Sequence, residues 1–134
     1  MKKTIYLSAL LGLMLICKVN FSQNRSIPYY DNIQFNNNFF LLAESDAKSN
    51  YYVVDLSKFS TPFEKLHFQN LAFQERKLIR IDAGNANIAW FRVKKVFPEA
   101  EIKQIIIALK TQTSDAANTM SNSQKEQWLR NNGK

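Results

Sequence analysis

The only cysteine of the chain, Cys17, lies inside an apolar run near the N-terminus. The sequence after it therefore has no thiol with which to form a disulfide or a thiolate metal site. A small domain without disulfides depends on burying a large apolar surface. Residues 23–134 supply that surface with 2 Trp and with many Phe, Tyr, Ile, Leu and Val side chains. We therefore expect one domain built around a hydrophobic core.

The run that contains Cys17 has the layout of a secretory signal. Lys2 and Lys3 precede an apolar stretch over residues 5–17, and a small residue, Ser22, follows. A basic start, an apolar stretch of about 7–15 residues and a small residue at the cleavage point are typical of such signals. The stretch is shorter than the roughly 20 apolar residues of a membrane-spanning helix. We predict cleavage after Ser22, with export to the periplasm or the extracellular space and no transmembrane helix in the processed chain.

A lipoprotein signal is the alternative for this segment, with Cys17 as the lipidated first residue. That processing favours a small residue before the cysteine, whereas Ile16 stands there. Secretion without a lipid anchor is therefore the favoured interpretation.

Cleavage after Ser22 also changes the charge of the chain. The signal carries Lys2, Lys3 and Lys18, so 15 basic and 11 acidic side chains remain and the net charge falls from +7 to +4. A modest positive charge is compatible with anionic partners, but it does not by itself indicate nucleic-acid binding.

The composition divides the processed chain into three parts. Residues 23–38 are rich in Asn, and we interpret them as a lead-in arm. Residues 39–113 alternate apolar runs with turn residues and form the predicted α+β domain. Residues 114–134 are polar, and we expect a mobile tail with at most a short helix from Ser123 and a single anchor, Trp128.

The predicted domain has two strand–strand–helix units. Aromatic and β-branched runs separated by Gly, Asn and Asp clusters predict the strands. They fall at residues 39–43, 51–55, 77–82 and 88–94.

Both helices have recognisable starts. The first begins at Thr61, where Thr-Pro-Phe-Glu is a capping-box sequence, and the second begins near Pro98. On the first helix we expect Phe63, Leu66 and Phe73 to share one broad face. The second carries an apolar stripe at helical spacing, made of Ile102, Ile105, Ile106 and Leu109.

These elements predict a two-layer α+β sandwich with the order ββαββα. Four mostly antiparallel strands would form the sheet, and two helices would cover one of its faces. From residue 51 onward the order β-α-β-β-α resembles the ferredoxin-like plan without its last strand. The resemblance covers about residues 39–113 and is topological, so it implies a fold and no function.

Catalytic and metal-binding patterns are missing from the sequence. His67 is the only histidine, and Gly84 and Gly133 are the only glycines after the signal, too few for a phosphate-binding loop. The carboxylates fall at helix starts, strand ends and turns, where capping explains them. We therefore predict no catalytic residues, no metal and no cofactor, and keep a small envelope hydrolase that uses carboxylates as an alternative.

The second predicted hairpin carries the candidate site. Alternation along the strands is expected to place Ile79, Ile81, Phe91 and Val93 on the face toward the helices. The opposite face would carry Leu78, Arg80, Trp90, Arg92 and Lys94, with Arg76 beside them. A basic surface around a flat aromatic ring suits stacking combined with anion contacts. An ordinary solvated sheet face is the plainer interpretation of the same residues.

This candidate surface leads to a functional hypothesis. We interpret the chain as a small exported, non-catalytic binding or accessory module of the bacterial cell envelope. Its partner would be an envelope protein or an anionic polymer or glycan, because export disfavours nucleic acid. A structural component of an envelope assembly is a further alternative, in which the sheet edge at residues 39–43 takes a partner strand.

Overall fold

The computed structural model describes residues 33–81 and 85–133. The predicted signal and residues 23–32 of the predicted arm lie outside the described residues. The described elements are, in chain order, β1 (Phe40–Ser45), β2 (Ser49–Asp55), a 3₁₀ turn (Leu56–Lys58), α1 (Pro62–Gln74), β3 (Ile79–Ile81), β4 (Ile88–Lys94), α2 (Glu99–Thr119) and α3 (Asn122–Asn132).

The four strands form one antiparallel sheet in the order β1-β2-β4-β3. α1 and α2 pack against one face of this sheet, which confirms the predicted two-layer α+β sandwich. β2 and β3 are connected through α1 but are not neighbours in the sheet, because β4 lies between them. This is the split arrangement expected of a ferredoxin-like order, with β1 completing the sheet beside β2.

The hydrophobic core lies between the sheet and the helices. Its central side chains are at most 1% exposed and come from β2, β4, α1 and α2: Tyr52, Val54, Phe91, Val93, Phe68, Ile102 and Ile106. Aromatic rings close the core at the β1 side, where Phe68 lies 5.5 Å from Phe39 and 5.3 Å from Phe59 between ring centroids. The apolar stripe predicted for α2 therefore faces the sheet.

α1 begins at the predicted capping box. The backbone N–H of Glu64 donates to the Thr61 hydroxyl at 3.3 Å, and the Thr61 N–H donates to the Glu64 carboxylate at 3.0 Å. Burial alone would raise the pKa of Glu64, but hydrogen bonds from Ser60 and Thr61 lower it on balance. The charged carboxylate thus satisfies backbone donors that a helix start leaves open.

Phe73 lies outside the buried stripe of α1. Its side chain is 74% exposed, whereas Phe68 and Ala72 are 0% exposed. Each residue of an α-helix turns by about 100° from the one before it. Because Ala72 and Phe68 form the stripe toward the core, Phe73 points away from it.

The C-terminal region is more regular than its polar composition predicts. α2 continues to Thr119, past the predicted domain limit at residue 113, and α3 follows from Asn122. A capping box starts α3, but it is formed by Ser121 and Gln124 rather than from Ser123. α2 is the longest described helix, and none of the helices in residues 33–81 and 85–133 is long and apolar enough to cross a membrane.

The end of the predicted arm forms a tight turn before β1. Asn36 and Asn37 have φ values of 49° and 68°, in the left-handed region that Asn tolerates better than most residues. The N–H of Asn38 donates to the Phe35 carbonyl at 2.9 Å. Part of the Asn-rich composition is therefore explained by backbone geometry.

β1 is an edge strand with an irregularity. Its register against β2 shifts between Leu42 and Glu44, which leaves Ala43 outside the ladder. A bulge of this kind bends and twists a strand and makes its edge a poorer template for another strand. This geometry disfavours strand addition at the edge that the structural-component alternative requires.

Candidate binding surface

An apolar row crosses the sheet on the face opposite the helices. Val53 pairs with Leu41 in β1 and with Trp90 in β4, and Trp90 pairs with Ile81 in β3. Paired residues place their side chains on the same face, so these four side chains are neighbours. The two central residues, Val53 and Trp90, are 0% and 1% exposed.

The burial of Trp90 changes the expected chemistry of this face. Stacking on a ligand requires an aromatic ring that is open to solvent. The Trp90 ring is enclosed, so it contributes to packing and is not the centre of an open aromatic platform.

The predicted grouping of side chains on the second hairpin is also wrong. Ile79 pairs with Arg92 and Ile81 with Trp90, whereas Arg80 pairs with Phe91. Ile79 and Ile81 therefore lie on the face of Trp90, and Arg80 lies on the opposite face. Alternation along each strand does not determine the register between strands, and a shift of one residue exchanges the two faces of a strand. Leu78 is buried in the core rather than placed on the binding face.

Three of the five predicted site residues remain together at one end of the sheet. Arg92 and Lys94 are exposed on the same face of β4. Arg76 is exposed just before β3, and it lies at the same end because Ile79 faces Arg92 in the antiparallel pair. Trp90 does not join them because it is buried, and Arg80 does not because it lies on the opposite face of the sheet.

The fold adds two lysines that the prediction omits. Lys94 pairs with Ser49 at the start of β2, and the Lys95 N–H donates to the Lys48 carbonyl at 3.0 Å. The exposed side chains of Lys48 and Lys95 therefore belong to the same region. The Lys94-Lys95 pair was a visible sequence signal, but Lys48 becomes a neighbour only through strand pairing. We call this group the basic end of the sheet: Lys48, Arg76, Arg92, Lys94 and Lys95.

Acidic side chains near the basic end already have structural roles. The Asp46 carboxylate accepts hydrogen bonds from the N–H groups of Lys48 and Ser49, at 2.8 Å and 2.7 Å, and from the Tyr51 hydroxyl at 2.9 Å. Burial raises the pKa of Asp46, but these hydrogen bonds and the positive charge of Lys95 outweigh it and the pKa is lowered. Asp46 thus holds the β1–β2 turn while the neighbouring cations stay exposed.

Three further carboxylates have structural contacts. Asp55 accepts from the Ser57 N–H at 3.1 Å at the start of the 3₁₀ turn, Glu64 caps α1, and Glu101 forms an ion pair with Lys77. Within residues 33–81 and 85–133, no group of three or more His, Cys, Asp or Glu side chains is placed to hold a metal ion. These three carboxylates stabilise local structure.

His67 lies where the three helices meet. Its Nδ1 is 3.2 Å from the hydroxyl of Thr113, a residue of α2 that is 0% exposed. Its ring centroid is 5.2 Å from that of Phe63 and 5.3 Å from that of Trp128. The predicted anchor of the C-terminal region, Trp128, is therefore packed onto α1, and His67 joins α3 to the rest of the domain.

This position predicts that acid weakens the fold through His67. Burial lowers the pKa of His67 from its ordinary value of 6.5, so the unfolded chain binds a proton more readily than the folded chain. The contribution of neutral His67 is complete above pH 6.5 and is lost as the pH falls through the folded pKa. Urea unfolding at about pH 7 and about pH 5 should show a larger loss for the unmodified protein than for His67→Gln.

Gln is a suitable control because it can bond to Thr113 but cannot titrate. The lowered pKa values of Asp46 and Glu64 start from 3.8 and 4.5, so those groups titrate below this window. An equal loss of stability in both proteins would show that His67 does not sense pH.

Comparison with known proteins does not add a homologue. No protein-family model matches the chain, and no curated protein or solved structure is detectably similar to it.

Proposed function

We propose that the chain is a small exported, non-catalytic binding module of the bacterial cell envelope that holds an anionic partner at the basic end of its sheet. The observation that carries this proposal is the convergence of five exposed cations from three separate segments at one end of the sheet. The N-terminal pattern over residues 1–22 supports export.

The state of the titratable groups supports binding rather than catalysis. Catalytic acids and bases must reach a reacting atom, usually from a shared cleft. Here Asp46, Asp55 and Glu64 bond to backbone, and His67 is packed between aromatic rings. The cations of the basic end, by contrast, are free to contact a partner.

Cell fractionation of the expressed full chain tests both parts of the proposal. Intact-mass analysis should find a protein that starts at Gln23, without lipid, in the envelope or periplasmic fraction. The processed protein should be retained by isolated envelopes, and the variant Arg92→Glu/Lys94→Glu should lose most of that retention because like charges now repel the partner.

The matched control is Lys58→Glu/Lys103→Glu. It makes the same change in net charge with two exposed lysines that lie outside the basic end. Retention of this control should be unchanged, and thermal unfolding should show that both variants fold. A protein that keeps its first 22 residues in the cytoplasm contradicts export, and equal retention of the two variants contradicts the binding surface.

A further inference from the structure

The cations of the basic end lack ion-pair partners within the described parts of the chain. The ion pair found there joins Lys77 to Glu101, and Lys77 also lies 5.3 Å from the centroid of the Phe97 ring. None of the five cations of the basic end takes part in an ion pair with residues 33–81 or 85–133. The charge of Lys95 also acts on Asp46, whereas the charge of the other four cations is available to a partner, apart from the screening by salt.

As a group, the five cations are spread too widely for one small anion to contact all of them. Arg92 and Lys94 are two residues apart on one strand face, which separates their Cα atoms by about 7 Å. Lys48 lies at the β1–β2 turn and Arg76 before β3. With strands about 4.8 Å apart, the group spans roughly 12 Å across the sheet. A carboxylate or phosphate contacts donors within about 3 Å, so several anionic groups are needed to engage this band.

The two aromatic side chains on the strand face of Arg92 are enclosed or engaged. Trp90 is 1% exposed, and the half-buried Tyr51 donates its hydroxyl to Asp46. Protein partners usually bind through side chains anchored in enclosed pockets, and single-stranded nucleic acids through stacking on aromatic rings. A widely spaced set of exposed cations is better matched by a flexible polymer with repeated negative charges.

Resting on the proposed function, we infer that the partner is an acidic polysaccharide, a linear glycan whose carboxylate or phosphate groups lie along the basic end. Binding of this kind releases counterions from the polymer, so its affinity falls steeply as salt rises. The glycan class is also the one among the predicted partners that combines repeated charge with an extracytoplasmic location.

Titration of the processed protein with defined polymers tests the inference. Polygalacturonate supplies carboxylates, a phosphorylated mannan supplies phosphates, neutral dextran is the uncharged control, and polyglutamate represents an acidic peptide. At about 0.05 M salt we expect binding to one or both acidic glycans and none to dextran, with affinity lost at about 0.3 M salt. Whichever acidic glycan binds identifies the anionic group.

Two double variants test whether the acidic glycan binds at the basic end. Arg92→Glu/Lys94→Glu should weaken binding to the acidic glycan by about ten-fold or more, whereas Lys58→Glu/Lys103→Glu should stay within about two-fold of the unmodified protein. Circular dichroism checks that each variant is folded. Tighter binding to polyglutamate than to either acidic glycan, binding that salt does not affect, or equal weakening by both variants would overturn the inference.

Failure of the inference can be distinguished from failure of the proposed function. If envelopes retain the protein through Arg92 and Lys94 but no acidic glycan binds, the partner is another anionic component of the envelope and the proposed function stands. If envelope retention is also indifferent to these two residues, both proposals are wrong.

Discussion

Trp90→Ala should lower the free energy of unfolding by about 3–5 kcal/mol, the usual cost of removing a fully buried large aromatic side chain. Trp90 is 1% exposed and lies at the centre of the row formed with Leu41, Val53 and Ile81. Urea unfolding followed by circular dichroism measures the change. Ile79→Ala is the matched control, because Ile79 lies on the same face but is 36% exposed.

The control should lose much less stability, since part of its side chain already contacts water. A cost below about 1 kcal/mol for Trp90→Ala would mean that the ring is dispensable for folding. Trp90 contributes to packing, whereas Arg92 and Lys94 are exposed on the same strand face. Substitution of these two cations should therefore leave the fold intact.

Phe68→Ala should have a loss of similar size, about 3–5 kcal/mol, on the opposite side of the sheet. Phe68 is 0% exposed, and its ring lies against those of Phe39 and Phe59. Removing it leaves a cavity and breaks both aromatic contacts. Phe73→Ala on the same helix is the control, because its side chain is 74% exposed.

Phe73→Ala should change the stability by no more than about 0.5 kcal/mol. The two variants remove the same atoms from the same helix, so helix propensity is matched and burial is the difference between them. Comparable losses for both would contradict the orientation of α1 against the sheet.

The fold class could be predicted because its determinants are local. β4 was predicted with its observed bounds, residues 88–94, from a run of β-branched and aromatic residues. Thr61, Pro62 and Glu64 determine the start of α1 through contacts within four consecutive residues. Such short patterns determine the structure of the segment that contains them, so they can be interpreted from a single sequence.

Strand register could not be predicted in the same way. The pairing of Ile81 with Trp90 depends on the number of residues in the turn between β3 and β4. A change of one residue in the register moves Arg80 to the other face of the sheet. β3 has only three residues, so its own hydrophobic pattern constrains the register weakly. The candidate site therefore kept Arg92 and Lys94, which share a strand, and lost Arg80, which does not.

Residues 114–134 illustrate a second limit. Their composition is polar, and a helix of this length is marginal in isolation. The contact of Trp128 with Phe63, with ring centroids 5.2 Å apart, joins residues far apart in sequence. The end of α3 is also close to α1, since a Cβ added at Gly133 would lie 3.7 Å from the side chain of Leu66. Support of this kind appears only when the fold is known.

α3 has no fully buried residue, although one of its faces is anchored to α1. α3 can therefore detach while the sheet and the two longer helices stay packed together. A segment held in this way detaches by local opening at a lower free energy than global unfolding. Its amide hydrogens should accordingly exchange with solvent ahead of those in β2 and β4, and the domain can lose its last helix for brief periods while its core stays intact.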